Sequence, residues 1–166
     1  MGETVLVTGG TGFVAGWTIV ELLKRGYQVR TTVRSAAREA DVRRAVGREV
    51  EAGERLGVVV ADLTADAGWD EAAAGCASVL HIASPLGNGA GDAGLIAAAR
   101  DGTLRVLGAA VRAGAGRVVM TSSTAACTPA EPLARAIDEA DWTDPDQPGL
   151  AAYRRSKVLA ERAAWD

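Results

Sequence analysis

Tyr153 and Lys157 are the two residues whose types and spacing point most directly to chemistry. They stand four positions apart, so a helix would place them on one face with their Cβ atoms about 5–6 Å apart. A phenol is a weak acid at neutral pH, but a nearby ammonium stabilises the phenolate and makes the hydroxyl a usable proton donor to a carbonyl. The pair therefore predicts acid–base chemistry, with an ordinary pair on a helix surface as the alternative.

Hydroxyl side chains follow a predicted strand at residues 117–121. Ser122 and Ser123 come directly after this strand, at the carboxyl edge of a parallel sheet, where folds of this kind bind ligands. We expect Ser123 to hydrogen-bond the substrate oxygen that Tyr153 protonates, and Thr121 to contact a cofactor. The alternative is a turn in which the serines satisfy their own backbone.

A glycine-rich segment, Thr8-Gly9-Gly10-Thr11-Gly12, separates an apolar run from a helical pattern. The first glycine of such a segment permits a sharp turn, and the last lets backbone N–H groups approach a pyrophosphate, which the N-terminus of the next helix also attracts. Ala15 supplies a small third residue. No Gly-Lys-Ser/Thr follows, which excludes a Walker-type loop. The segment predicts a dinucleotide site rather than a plain turn, with contacts from Gly9, Thr11, Gly12, Phe13 and Val14.

The residues after the second predicted strand indicate which dinucleotide binds. Arg34 and Arg38 stand where a ribose-binding carboxylate would favour NAD(H), and guanidinium groups favour a 2′-phosphate. We therefore expect NADP(H) as the cofactor, with NAD(H) as the alternative. The non-functional alternative is that these arginines only make the surface of a helix soluble. Asp62 and Leu63, after the third strand, would flank the adenine, unless Asp62 only caps a turn.

Five short apolar runs alternate with helical patterns along the chain. This alternation predicts an α/β fold, a doubly wound parallel sheet with strand order 3-2-1-4-5 and helices on both faces. We assign residues 1–166 to one dinucleotide-binding domain. The predicted strands are residues 4–8, 28–33, 56–61, 78–82 and 117–121; the predicted helices are residues 13–25, 36–50, 69–74, 95–113 and 150–165, with a glycine-rich loop at 85–94.

The composition of the 166 residues excludes several classes of protein. The formal net charge is −3 and aromatic residues make up 4% of the chain, which gives nucleic acid neither a basic field nor a stacking surface. No apolar run reaches the length of a membrane span, and two cysteines cannot form a disulfide framework. The single histidine, His81, lacks neighbouring ligand residues, so we expect no metal. We expect a cytoplasmic protein that binds neither nucleic acid nor membrane.

Four motifs together resemble the extended short-chain dehydrogenase/reductase (NAD-dependent epimerase/dehydratase) superfamily. Within it, the chain is similar to the dihydroflavonol 4-reductase and cinnamoyl-CoA reductase group. This resemblance implies a Rossmann-type fold and an NADP-dependent oxidoreductase that reduces a ketone or aldehyde to an alcohol. The motifs are the glycine-rich segment, His81-Ile82-Ala83-Ser84-Pro85, Thr121-Ser122-Ser123 and Tyr153-x-x-x-Lys157.

The resemblance also implies roles for individual residues. Ser123, Tyr153 and Lys157 would form a catalytic triad in which Lys157 also holds the nicotinamide ribose. Ala83 and Ser84 would line the central part of the cofactor. The alternatives are a nucleotide-sugar epimerase or dehydratase, which Arg34 disfavours, and a dinucleotide-binding module without catalysis.

The end of the sequence departs from the family pattern. The chain stops at Asp166, nine residues after Lys157, whereas family members continue with a sixth strand and a substrate-binding segment. We therefore expect a C-terminally incomplete fold with little activity of its own. The predicted helices at 95–113 and 150–165 are candidates for a homodimer contact, with internal packing as the alternative.

Overall fold

A five-stranded parallel sheet forms the centre of the fold in the computed structural model, which describes residues 2–86, 91–131 and 133–166. The strand order is β3-β2-β1-β4-β5, which confirms the predicted order. Val5 of β1 pairs with Val29 of β2 on one side and with Ser78 of β4 on the other. The strands are β1 Thr4–Val7, β2 Gln28–Val33, β3 Leu56–Val60, β4 Ser78–His81 and β5 Arg117–Met120.

Each predicted helix is present, but three of them differ from the prediction by two or more residues at a boundary, and the other two end one residue early. The predicted helix at 36–50 divides into a 3₁₀ turn at Ala36–Arg38 and an α-helix that ends at Gly47. The fourth helix begins at Gly91, inside the predicted loop 85–94, of which residues 87–90 lie outside the described part. The last helix begins at Ala152, because Ala151 before it has a non-helical ψ of 139°. The helices are α1 Phe13–Lys24, α2 Glu39–Gly47, α3 Trp69–Ala73, α4 Gly91–Arg112 and α5 Ala152–Trp165.

Both faces of the sheet are covered at the central strand β1, whose successive residues point to opposite sides, whereas Val119 of the edge strand β5 is exposed. In β1, Val5 and Val7 join a buried cluster with Ile19 and Leu23 of α1. Leu6, between them, joins a second cluster that includes Trp69 of α3 and Val106 of α4. Near-continuous apolar strands are what a sheet covered on both faces requires.

The chain divides into two compact units. The first comprises Met1–Ser84 and Arg105–Thr121 and contains the whole sheet; the second comprises Pro85–Leu104 and Ser122–Asp166 and contains α5. In the second unit, α5 packs on a 3₁₀ turn, Thr124–Ala126. None of the helices in the described residues is long and apolar enough to cross a membrane.

The connection between β3 and α3 is a tight loop whose end depends on glycine. Gly68 has a φ of +88°, and a Cβ on it would lie 2.1 Å from the carbonyl oxygen of Val60. Trp69 follows, and its indole Nε1 donates to the backbone oxygens of Asp62 and Ala65 at 3.1 and 3.0 Å. Gly68 therefore lets the chain fold back against β3 and fixes the loop that carries Asp62.

Gly68→Ala should lower the free energy of unfolding by about 3 kcal/mol or more. Two costs add: the alanine has to adopt a positive φ, and its methyl group collides with a backbone oxygen. Gly75→Ala is the matched control, since Gly75 has a φ of +67° and open space around its Cα. The control should lose only about 1–2 kcal/mol, the ordinary cost of a left-handed alanine. Urea unfolding of both variants measures the difference, and equal losses would show that the contact with Val60 relaxes freely.

Candidate functional site

The glycine-rich loop after β1 lies directly against two neighbouring strands. A Cβ on Gly9, whose φ is +79°, would be 3.0 Å from the Cβ of Ala83, just after β4. A Cβ on Gly10 would be 2.5 Å from Oγ1 of Thr31 in β2. The N–H groups of both glycines donate to Thr32, at its Oγ1 and its carbonyl oxygen. The loop backbone is therefore held at the sheet edge by contacts that no larger residue would permit.

The N-terminus of α1 is open at this loop. Gly12 is its N-cap residue and supplies no side-chain cap, and the first turn carries no acidic residue. Thr11, Phe13 and Val14 are exposed around it. The first N–H groups of a helix lack intrahelical acceptors and carry partial positive charge, so they bind phosphate oxygens. The loop and helix end thus fit the pyrophosphate of a dinucleotide.

Thr8 joins this loop to the end of β4 through its buried hydroxyl. The oxygen Oγ1 accepts the N–H groups of Ile82 and Ala83 at 3.0 and 2.9 Å and lies 3.0 Å from Nδ1 of His81. Because both lone pairs of the hydroxyl are used, its proton points to Nδ1 of His81, which acts as the acceptor. The structure gives His81 a structural contact, and in the described residues it belongs to no cluster of metal-ligating side chains.

The two predicted phosphate-binding arginines differ in their surroundings. Arg34 follows β2 with an exposed side chain. Arg38, in the 3₁₀ turn that follows, forms an ion pair with Asp41, with Nε 2.9 Å from Oδ2. Arg38 would have to release Asp41, or share its charge, in order to bind a phosphate. Arg34 is therefore the better candidate.

Asp62 adopts the turn-capping role that the sequence left as one of two alternatives. Its Oδ1 accepts hydrogen bonds from the backbone N–H and the hydroxyl of Thr64, at 2.8 and 2.7 Å. These two bonds, and then the charge of Arg34, lower the pKa of the Asp62 carboxyl group. Asp62 is thus an anion close to Arg34, and one of its oxygens is already occupied by the turn.

The predicted cofactor-binding residues of the first unit all lie at the carboxyl edge of the sheet. Gly9 to Val14 follow β1, Arg34 and Arg38 follow β2, Asp62 and Leu63 follow β3, Ala83 and Ser84 follow β4, and Thr121 follows β5. The N–H of Thr121 donates to the carbonyl oxygen of His81 at 2.9 Å, which extends the β4–β5 pairing to this edge. In an open parallel sheet, this edge is where ligands bind.

The three predicted catalytic residues belong to the second unit, in which α5 packs on the 3₁₀ turn that follows Ser123. In α5, the Nζ of Lys157 is 5.2 Å from the centroid of the Tyr153 ring, within the range of a cation–π contact. Tyr153 is 39% exposed, so its hydroxyl can reach a ligand. Ser123 Oγ accepts the N–H of Ala125 at 3.2 Å at the start of the 3₁₀ turn, which leaves its hydroxyl proton for donation. Ser123 therefore forms the local turn that was predicted as its alternative role, and its hydroxyl group can still donate a hydrogen bond.

Two residues that the sequence did not indicate form hydrogen bonds between different segments of the second unit. Glu161 lies one turn beyond Lys157 on α5, and its Oε2 accepts a hydrogen bond from the hydroxyl of Ser122. Thr143 is fully buried, and its Oγ1 accepts the N–H of Thr128 at 3.0 Å. The four-residue spacing from Lys157 could have indicated that Glu161 lies on the same face of the helix. Nothing in the sequence around Thr143 predicts its hydrogen bond with Thr128.

Burial lowers the pKa of the Lys157 ammonium. A lysine with a lowered pKa is more weakly solvated in the folded than in the unfolded chain, which disfavours its charged form. The cation beside Tyr153 therefore stands in partly desolvated surroundings. There its field on the neighbouring phenol is stronger than it would be in bulk water.

The family of the chain follows from comparison with known proteins. The model of the NAD dependent epimerase/dehydratase family matches residues 5–166. The chain therefore belongs to the NAD dependent epimerase/dehydratase family.

Two curated relatives with similar sequences are reductases by name. Cinnamoyl-CoA reductase 1 of Petunia hybrida is 39% identical over 99% of this chain and 50% of that protein. The anthocyanidin reductase ((2S)-flavan-3-ol-forming) of Vitis vinifera is 37% identical over 98% of this chain and 51% of its own length. The chain thus spans about half the length of the curated relatives it matches.

Solved structures show the same relation. Gre2 from Candida albicans, in complex with NADPH, has a TM-score of 0.85 and 33% identity over 99% of this chain and 52% of its own. Vestitone reductase from alfalfa (Medicago sativa L.) has a TM-score of 0.80 and 33% identity over 98% of this chain and 51% of its own. These likenesses confirm the predicted Rossmann-type fold, and the chain spans about half the length of each of these solved structures.

The lowered pKa of Lys157 makes the stability of the chain depend on pH. Between that lowered pKa and the ordinary value of 10.5, the unfolded chain binds more protons than the folded chain. The free energy of unfolding therefore rises with pH across this window. Lys157→Met should lack this contribution, so wild type should gain stability relative to the variant as the pH is raised from 7 towards 10.5.

Urea unfolding at several pH values measures this difference. Lys24→Met removes the same charge from the exposed end of α1 and controls for net charge. A difference between wild type and Lys157→Met that stays constant over the whole range would show that the Lys157 ammonium is as well solvated in the folded chain as in the unfolded one.

Proposed function

We propose that this chain is the cofactor-binding part of an NADP(H)-dependent reductase, and that it also carries the residues that protonate a ketone or aldehyde. The observation that carries the proposal is the Lys157 ammonium beside the Tyr153 ring, in a chain with relatives that are named cinnamoyl-CoA reductase and anthocyanidin reductase. The substrate would be a small-molecule carbonyl compound, or an alcohol in the reverse direction.

The first unit supplies the groups that bind NADP(H). The N–H groups at the start of α1 bind the pyrophosphate, and Arg34 binds the 2′-phosphate through charge-assisted hydrogen bonds. Asp62 and Leu63 flank the adenine, whereas Ala83, Ser84 and Thr121 face the middle of the dinucleotide. The complex of Gre2 with NADPH supports this choice of cofactor, as does the absence of an acidic residue at 34. The bound nicotinamide supplies the hydride.

The second unit supplies the proton. Tyr153 donates its phenolic proton to the carbonyl oxygen as negative charge develops there, and Ser123 holds that oxygen with its available hydroxyl proton. Lys157 stabilises the phenolate that remains, because its cation lies 5.2 Å from the ring centroid. As the family resemblance implies, Lys157 also binds the nicotinamide ribose.

The remaining length of the relatives suggests where substrate is selected. The chain corresponds to about half of cinnamoyl-CoA reductase 1, and residues 1–166 form the dinucleotide-binding domain in our proposal. The contacts that distinguish one carbonyl compound from another would then come from the part of the relatives that this chain does not match. Binding of cofactor is the function that these residues alone can be tested for.

Arg34→Ala should weaken NADPH binding about 10- to 100-fold and leave NADH binding nearly unchanged. The lost contact is a charge-assisted hydrogen bond to a 2′-phosphate, worth about 1.5–3 kcal/mol, and NADH lacks that phosphate. Titration of both cofactors by fluorescence measures the two affinities. Arg43→Ala, which removes an arginine already paired with Glu39, is the matched control for net charge. Equal losses for NADPH and NADH would contradict the assignment of Arg34.

Tyr153→Phe should abolish carbonyl reduction while NADPH affinity stays within about twofold, because the ring remains and only the proton donor is lost. Lys157→Met should reduce both, since Lys157 serves the cofactor and the phenol. Turnover is measured in a protein that also includes the part of the relatives that this chain does not match, and affinity is measured in this chain. A Tyr153→Phe protein that keeps most of its turnover would show that another group supplies the proton.

A further inference from the structure

The loop that joins β3 to α3, residues 61–68, is bonded to a distant helix as well as to itself. We name it the adenine-side loop, because it carries Asp62 and Leu63. Arg105 of α4 donates from Nη1 to the carbonyl oxygen of Leu63 at 2.8 Å, and its Nε lies 2.5 Å from Oδ1 of Asp66. A residue 42 positions away in sequence therefore holds two points of this loop.

The bond to the Leu63 carbonyl is the more effective of these two contacts. The side chain of Arg105 is 27% exposed, whereas that of Asp66 is 91% exposed. An ion pair with a fully solvated carboxylate contributes little, because water and salt screen it. A charged donor on a partly buried backbone carbonyl contributes more. Arg105 thus acts chiefly on the peptide group of Leu63.

The other hydrogen bonds of the loop are local. Thr64 donates to Asp62, and the Trp69 indole donates to the backbone oxygens of Asp62 and Ala65. Such bonds shape the turn itself. The contact from Arg105 ties that turn to α4, whose Val106, the next residue, is buried in the core under the sheet.

We propose that Arg105 is a positioning residue for the adenine end of the cofactor. The inference rests on the proposed function, which places adenine against Asp62 and Leu63. A loop already held in its binding conformation loses less conformational freedom when ligand binds, so its affinity is higher. Without Arg105, the Leu63 peptide would have to be ordered by the ligand, and the affinity for any adenine-containing ligand would fall.

Arg112 makes a matched control possible. It lies two turns further along α4, carries the same charge and bonds Asp70 of α3 through Nε and Nη2 at 2.9 and 2.7 Å. Its partner belongs to α3 rather than to residues 61–68. Replacing Arg112 therefore removes an equal charge and a similar ion pair, and leaves the adenine-side loop untouched.

The test measures binding of 2′,5′-ADP to this chain by calorimetry. Arg105→Met should weaken binding about tenfold, Arg105→Lys should recover part of the affinity, and Asp66→Asn and Arg112→Met should change it less than twofold. Amide hydrogen exchange should quicken in residues 61–68 of Arg105→Met and stay unchanged in β1. Arg105→Lys keeps the charge and carries the test if Arg105→Met folds poorly.

The possible failures are distinct. Wild-type affinity in Arg105→Met, or an equal loss in Arg112→Met, would overturn the positioning role and leave the proposed function intact. A loss in Asp66→Asn as large as that in Arg105→Met would overturn the assignment to the Leu63 carbonyl. A wild-type chain that does not bind 2′,5′-ADP would overturn the proposed cofactor and this inference together.

Discussion

The close approach of the glycine-rich loop to its neighbouring strands is the constraint on which the rest of the cofactor site depends. Gly9 and Gly10 leave no room for a side chain against Ala83 and Thr31. This approach brings the loop backbone close enough for Thr8 and Thr32 to bond it to β4 and β2. The start of α1, whose first N–H groups have no intrahelical acceptor, thereby lies at the carboxyl end of β1.

Buried hydroxyl groups repeatedly connect segments that are distant in sequence. Thr8 joins β1 to residues 82 and 83, and Thr143 joins the segment before α5 to Thr128. Each hydroxyl satisfies backbone groups that would otherwise be costly to bury. Their side chains are small and uncharged, so they fix the backbone of the site without adding charge near it.

Charge is arranged differently in the two units. In the first, Arg34 lies close to the ionised Asp62, whose carboxylate is held by Thr64. In the second, partial burial lowers the pKa of Lys157 while its ammonium lies beside the Tyr153 ring. An exposed cation that is not held in an ion pair suits phosphate recognition, and a partly desolvated one suits stabilisation of a phenolate.

The sequence by itself determined the elements, the strand order and the positions that meet at the sheet edge. Alternating apolar runs and helical patterns permit few topologies, and the glycine and Tyr-x-x-x-Lys motifs lie at positions that this topology brings to a ligand-binding edge or a helix face. The family was predicted from the same motifs and is confirmed. The roles of Ser123, Tyr153 and Lys157 stay predictions.

Only the tertiary structure decided where the arginines act and how the loops are held. Many exposed arginines look alike in sequence, yet Arg38 is paired with Asp41 and Arg105 reaches the Leu63 carbonyl 42 residues away. The same holds for Asp62, whose turn-capping bonds could not be distinguished from a ligand contact by residue type. Local patterns reflect periodicity and backbone preference, whereas the partner of a long polar side chain depends on which segments the fold brings within about 3 Å.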